Sequence, residues 1–154
     1  MILETIGSLL VGAIGAGLGW GVTEFVARPI RKFFDLRGDA VQTVSRYGNL
    51  RAKYDERRLS NDVIETSEDL TLSEAQIAQL HEAQIALRDL AARIKSFAFN
   101  ETLARRALQL LGYDPQRASE GLFGVANTID TTGDTRIRAK KMVTDALRLP
   151  EHTL

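Results

Sequence analysis

Five basic side chains, Arg136, Arg138, Lys140, Lys141 and Arg148, fall between Thr135 and Leu149, where the only acid is Asp145. Arg136 and Lys140 stand four apart, so on a helix their charged heads meet on one face. Arg105 with Arg106 forms a second basic pair, and Arg117 follows just after Pro115. Guanidinium and ammonium groups converging from several helices can hold phosphates, and arginine does so with two parallel hydrogen bonds. This points to an anionic ligand, a nucleotide or a single-stranded oligonucleotide. The plainer alternative is that these residues pair with the acidic middle of the chain or with lipid headgroups.

Reactive groups suited to catalysis are scarce. His81 and His152 are the only histidines, neither has a partner at ligand spacing, and cysteine is absent. That excludes thiol chemistry, disulfides and Cys-ligated metal. There is no Gly-x-x-x-x-Gly-Lys phosphate loop and no Gly-x-Ser-x-Gly elbow. Gly15-x-Gly17 follows no strand and lacks the later acid of a dinucleotide site. The expectation is a chain with no catalytic residues, no metal and no cofactor.

The elements that must position the basic groups begin with an unusual stretch. Thr5 to Thr23 is nineteen residues without a charge, bounded by Glu4 and Glu24. A helix of roughly 20 apolar residues crosses the ~30 Å hydrocarbon layer, so the run is long enough to span a bilayer. Six of its residues are glycine, at 7, 12, 15, 17, 19 and 21. In water each would cost roughly 1 kcal/mol against alanine, whereas in lipid small residues let a second backbone approach closely. Gly15 with Gly19 and Gly17 with Gly21 form overlapping small-xxx-small pairs, and Ser8, Gly12 and Ala16 extend a ridge in steps of four. Small residues on more than one side of the cylinder predict a homo-oligomeric ring, a tetramer, rather than a simple dimer. Glu24 would then close a ring of carboxylates at the pore mouth, or pair with Arg28 four residues on; both readings stand.

Sidedness follows from the positive charges. Arg28, Arg31, Lys32 and Arg37 follow the span and nothing basic precedes it, which places the carboxyl side in the cytoplasm and the amino terminus outside. A cleaved leader fits poorly for the same reason. Trp20 lies within one turn of the cytoplasmic end, where an indole reaches headgroups.

Beyond the span the net charge is zero but sorted. Arg28 to Arg58 holds nine Lys/Arg against four Asp/Glu, Leu59 to Glu101 three against eight, and the remainder eight against six. Arg28-Pro29 predicts a kink or short break. Ile30, Phe33, Phe34, Ala40, Val41, Val44 and Tyr47 then recur at helical spacing, predicting an amphipathic helix to about Tyr54, either on the membrane surface or as the neck of a bundle. Leu59 to Leu70 reads as an acidic loop. Thr71 with Glu74 predicts a capping box opening a helix from Leu72 to Phe97, with Ile77, Leu80, Leu87, Leu90, Ile94 and Phe97 on one face. Asn100 is expected to cap a helix over Glu101–Leu111 with Leu103, Leu108, Leu110 and Leu111 inside and Gly112 as its stop. Asp114-Pro115 opens the next, carrying Leu122, Val125, Ala126 and Ile129, and the last runs from Thr135 to Leu149, stopped by Pro150. No segment alternates with period two. The expected fold is all-α: a transmembrane helix (1–27), a juxtamembrane amphipathic helix (28–57) and a cytosolic helical domain (58–154).

The layout, with T-E-F-V-A-R-P-I-R-K-F-F-D-L-R over Thr23–Arg37, resembles a group of short bacterial single-span proteins with a Gly-rich helix and a helical cytosolic domain. Among these are membrane effectors of anti-phage defence of the Hailong type, in which a small channel-forming protein is controlled by nucleic acid made by a companion nucleotidyltransferase. The resemblance covers the first forty residues and the general architecture. It implies an oligomeric inner-membrane effector, touching lipid, that conducts ions under ligand control. A pore of Gly, Ala, Ile and Leu dewets easily, which makes a shut state accessible. The alternative function is a membrane-anchored adaptor whose helical domain binds a protein partner.

Overall fold

Phe33, Leu36, Ala40, Val44 and Tyr47 are spaced by three or four residues and are all buried, and they fix the first helix of the domain, α1 (Arg28–Tyr47). A computed structural model describes residues 21, 23–47, 50, 54–55 and 73–150 of the chain. The expected break at Pro29 takes the form of a π-helical turn over Thr23–Ala27 that runs straight into α1. Proline has no N–H to return to the preceding turn, and a wider turn just before it accommodates the lost bond. α1 stops at Tyr47, seven residues before the expected end. Leu50 is no longer helical, and its amide donates to the Tyr47 carbonyl at 3.3 Å. Because Phe33 is fully buried, α1 is a bundle helix, and Phe34 is left partly exposed.

The longest helix, α2 (Glu74–Asn100), starts two residues later than expected and ends three later. Its capping box uses Ser73 and Gln76, not Thr71 and Glu74: the Gln76 amide donates to Ser73 Oγ at 3.3 Å, and the Ser73 amide donates to Gln76 Oε1 at 2.9 Å. Leu80, Ala83, Leu87, Leu90, Ile94 and Phe97 alternate in steps of three and four and form its buried seam, while Ile77, one turn earlier, stays exposed.

α1 and α2 run antiparallel. Tyr47 Oη donates to Glu82 Oε1 at 2.6 Å near one end, and the rings of Phe33 and Phe97 lie 5.6 Å apart near the other. α3 (Thr102–Leu110) is short and differs most from expectation. Asn100 is not its cap; its Nδ2 donates to Ser96 Oγ at 3.1 Å within α2, and Glu101 takes the cap position without a side-chain bond. Only Leu108 of the four expected leucines is buried, together with Ala104, whereas Leu103, Leu110 and Leu111 face outward. Gly112 ends the segment as expected, in the left-handed region at φ 83°.

α4 (Pro115–Asn127) opens as read from the sequence, with the Arg117 amide donating to Asp114 Oδ1 at 3.1 Å and proline in the first turn. It runs antiparallel to α2, since Gln84 Nε2 reaches the Ala126 carbonyl at 3.3 Å and Arg88 Nη2 reaches Asn127 Oδ1 at 2.9 Å. α5 (Asp134–Leu147) returns beside α4, and its end is pinned to α4's beginning by the Asp114 amide donating to the Ala146 carbonyl at 2.9 Å. The four longer helices therefore alternate in direction around one core to which all of them contribute. Among the described residues the extended structure is a two-residue parallel pairing, β1 (Tyr54–Asp55) with β2 (Thr131–Thr132). The chain is all-helical in class. Two ends can be distinguished: a near end with Thr23–Ala27, α3 and the close of α5, and a far end with Tyr47, Asn127 and the start of α5.

No helix among the described residues is long and apolar enough to cross a membrane. Of the expected span, all but Gly21 and Thr23 lies outside the described residues, as do Ser8, Gly12, Gly15, Ala16, Gly17 and Gly19 and the expected loop at Leu59–Leu70.

α4 and α5 approach closely because Gly121 has no side chain. A Cβ there would lie 2.8 Å from Val143 Cγ2, 3.0 Å from the Val143 amide nitrogen and 3.2 Å from the Ala139 carbonyl oxygen. Gly121→Ala is therefore expected to destabilise the domain by about 1–3 kcal/mol through overpacking. Gly38→Ala, on α1 where a Cβ meets nothing within 4 Å, is expected to stabilise it by roughly 0.5–1 kcal/mol. Urea unfolding followed by circular dichroism compares the two, and equal midpoints would contradict the close approach.

Candidate functional site

The seven expected anion ligands do not form one site. Arg105 and Arg106 on α3 and Arg117 on α4 belong to the near end, whereas Arg136, Arg138, Lys140 and Lys141 occupy the first half of α5 at the far end. The rise of ~1.5 Å per residue along α4 and α5 keeps the two groups many ångströms apart.

Arg136 corrects the expectation most sharply, because it is only 6% exposed. Its Nη1 donates to the carbonyls of Ile129 at 3.1 Å and Thr131 at 3.3 Å, and its Nη2 donates to that of Leu50 at 3.3 Å. The guanidinium thus satisfies backbone acceptors where the turn before α5 meets the chain beyond α1. Burial pushes its pKa down from the ordinary arginine value, and the charge of Asp130 opposes that shift. Lys140, half-buried one turn on, is also pushed down, first by burial and then by the Arg136 charge. Arg138 and Lys141 remain on the surface. The basic face at the far end is therefore narrower than the sequence suggested: two exposed cations and a half-buried third above a buried strut.

At the near end the last helix is closed by a residue of the first. Arg37 Nε donates to the Leu147 carbonyl at 2.9 Å, and its Nη2 donates to that of Arg148 at 3.0 Å. A cation here also meets the negative end of the α5 dipole. Arg148 adopts the left-handed conformation at φ 49°, and its own Nη1 donates to the Leu111 carbonyl at 2.9 Å. The Tyr113 ring lies between the two arginines, 6.0 Å from the Arg37 guanidinium carbon and 5.9 Å from that of Arg148. Phe33 and Phe34 each meet Tyr113 edge-on at 5.6 Å. Sequence reading missed Arg37 and Tyr113 as a pair, because 76 positions separate them and neither sits in a local motif. The one available signal was a helix end at Arg148 with no glycine to close it.

Glu24 and Arg28 form an ion pair, with Arg28 Nη1 at 3.0 Å from Glu24 Oε2. His81 is exposed on α2, and among the described residues no group of His, Asp and Glu is arranged to hold a metal. A cleft of about 400 Å³ between α1 and α2 sets Lys32 and Arg93 beside Asp35 and Glu101. Its charges balance, so it has no preference for an anion. No protein-family model, curated protein or solved structure matches the chain.

Removing the buried strut and removing the surface cations should differ. Arg136→Ala is expected to cost about 1.5–3 kcal/mol, the usual value for hydrogen bonds to a charged group, while Arg138→Ala and Lys141→Ala stay within about 0.5 kcal/mol of the parent. Equilibrium unfolding checks both, and a neutral Arg136→Ala would show that the guanidinium is not structural. The Tyr47 phenol donates to Glu82, and that hydrogen bond is the leading cause that raises its pKa above the ordinary phenol value. Its contribution to stability is present below the unfolded-state pKa near 10 and is lost as pH rises through the higher folded value. Tyr47→Phe should therefore weaken the α1–α2 contact at neutral pH and flatten the alkaline limb of the stability profile. An unchanged alkaline limb would rule this out.

Proposed function

We propose that the chain is a single-span protein of the bacterial inner membrane, amino terminus outside, whose copies assemble into a ring and form a gated ion-conducting pore. The role that fits this reading is that of an effector in anti-phage defence, as the resemblance to Hailong-type proteins implies. The observation that carries the reading is the direct join between span and domain. The uncharged run ends at Thr23, the π-helical turn begins there, and α1 follows with no intervening loop. α1 is packed into the bundle along its whole buried stripe, so any rearrangement of the bundle reaches the span through continuous helix.

Control by an anionic ligand, a nucleotide or short single-stranded oligonucleotide from a companion nucleotidyltransferase, has a physical route. A ligand drawn to Arg138, Lys140 and Lys141 would sit over Arg136, whose bonds hold the start of α5 to Leu50 and Ile129. The other end of α5 is held by Arg37 of α1. A ligand that binds one arrangement of α5 better than another shifts the bundle toward it, and α1 moves with it. Arg105, Arg106 and Arg117 stand at the other end of the bundle, so a mononucleotide at α5 would not reach them. An adaptor reading also has an observation in its favour, since Ile77 and Ile85 of α2 are exposed and could meet a protein partner.

Reconstituting the full chain in liposomes and measuring ion flux tests the proposal. Flux is expected, is expected to change on adding short oligonucleotides, and should lose that response in Arg138→Glu/Lys141→Glu while the unliganded flux persists. Gly15→Leu/Gly19→Leu should abolish both flux and crosslinked oligomers. Membrane insertion with no flux under any condition, and no depolarisation of expressing cells, would leave the adaptor in its place.

A further inference from the structure

α3 carries a cationic and apolar pattern that the core does not use. Leu103 and Leu110, seven residues apart, fall within roughly 20° of each other around the helix. Both are exposed, Leu110 at 91%, whereas Ala104 and Leu108 on the other side are buried. Phe99, one turn before α3, is 81% exposed. The charges within Thr102–Leu110 are Arg105 and Arg106, with no acid among its nine residues. Arg105 Nε is buried with no hydrogen-bond partner among the described residues. Large apolar side chains so fully in water, beside arginines, are what interfacial helices present to a lipid surface.

Position decides what covers this face. α3 packs against the π-helical turn Thr23–Ala27. That turn follows the uncharged run directly, so with the run in lipid it stands at headgroup depth. A helix packed against it lies about 8–10 Å away, within reach of the headgroup layer. Arg31 and Lys32, exposed on the first turns of α1, lie in the same layer. We infer that α3 is an in-plane membrane anchor, with Leu103, Leu110 and Phe99 set into the headgroup and acyl boundary and the exposed Arg106, flanking the leucines, meeting anionic lipid phosphates. This rests on the single-span reading but not on the pore. It gives the bundle a second attachment to the bilayer, beside the span.

The chain has no cysteine, so single-cysteine variants of the full protein report one position each. Leu110→Cys, Ile14→Cys in the uncharged run and Ile137→Cys on the exposed face of α5 are labelled with an environment-sensitive fluorophore and reconstituted in phosphatidylcholine vesicles with and without phosphatidylglycerol. In the mixed vesicles the probe at 110 is expected to shift to the blue, to be quenched by lipids doxyl-labelled near the headgroup and to lose quenching by iodide; the probe at 137 keeps iodide quenching. Arg106→Gln should reduce the lipid quenching at 110 in the mixed vesicles and leave that at 14 unchanged. A probe at 110 as open to iodide as that at 137 overturns the inference. So does one shielded from both quenchers, which would mean that protein covers α3. If the probe at 14 is not quenched by lipid, the span itself is refuted and the anchor falls with it; lipid quenching at 14 but not at 110 refutes the anchor alone.

Discussion

An α-helix ends on carbonyls that its own backbone cannot satisfy, and in this protein two at the end of the last helix are answered by Arg37 of the first. Residues 110 positions apart are thereby joined, and the order of the bundle follows from that closure. With α1 and α5 tied at the near end, α2 and α4 must fill the space between them, and their buried seams are spaced to do so. The Tyr113 ring lies about 6 Å from both guanidinium groups, and Phe33 and Phe34 meet it edge-on, so an aromatic cluster backs the closure.

Charge in this chain does two different kinds of work. Arg37, Arg136 and Arg148 spend their donors on backbone carbonyls and act as struts. Arg106, Arg117, Arg138 and Lys141 stand on the surface and are available to partners. The distinction lies in what surrounds each side chain and not in its type. Arg136 and Lys140 sit four apart, as an anion-binding pair would, yet the first points into the core and the second is held half out of water beside it. At this end Arg138 and Lys141 are exposed and Lys140 is half-buried, with Arg136 buried beneath them.

Much of the fold was legible in the residues themselves. The Asp114-Pro115 start, the Gly112 stop and the buried seam of α2 follow from local rules of capping and spacing that need no tertiary information. The failures have the same physical origin as one another. Leu103, Leu110 and Leu111 read as core because leucine is an inside residue in water, but nine residues of helix crossing one end of a bundle can bury only one side. Thr71 and Glu74 matched the capping pattern, and so did Ser73 and Gln76 two residues on; the pattern alone does not rank them. The burial of Arg136 was not visible because sequence spacing places two side chains on one face without saying whether that face looks out or in.

The turn over Thr23–Ala27 gives the junction one more residue per cycle than the helix that follows it. Redistributing that single residue into ordinary α-helix rotates everything upstream by about 100° about its own axis, with a rise of only ~1.5 Å. The chain thus holds, at the entry to α1, a small screw thread whose pitch is set by five residues.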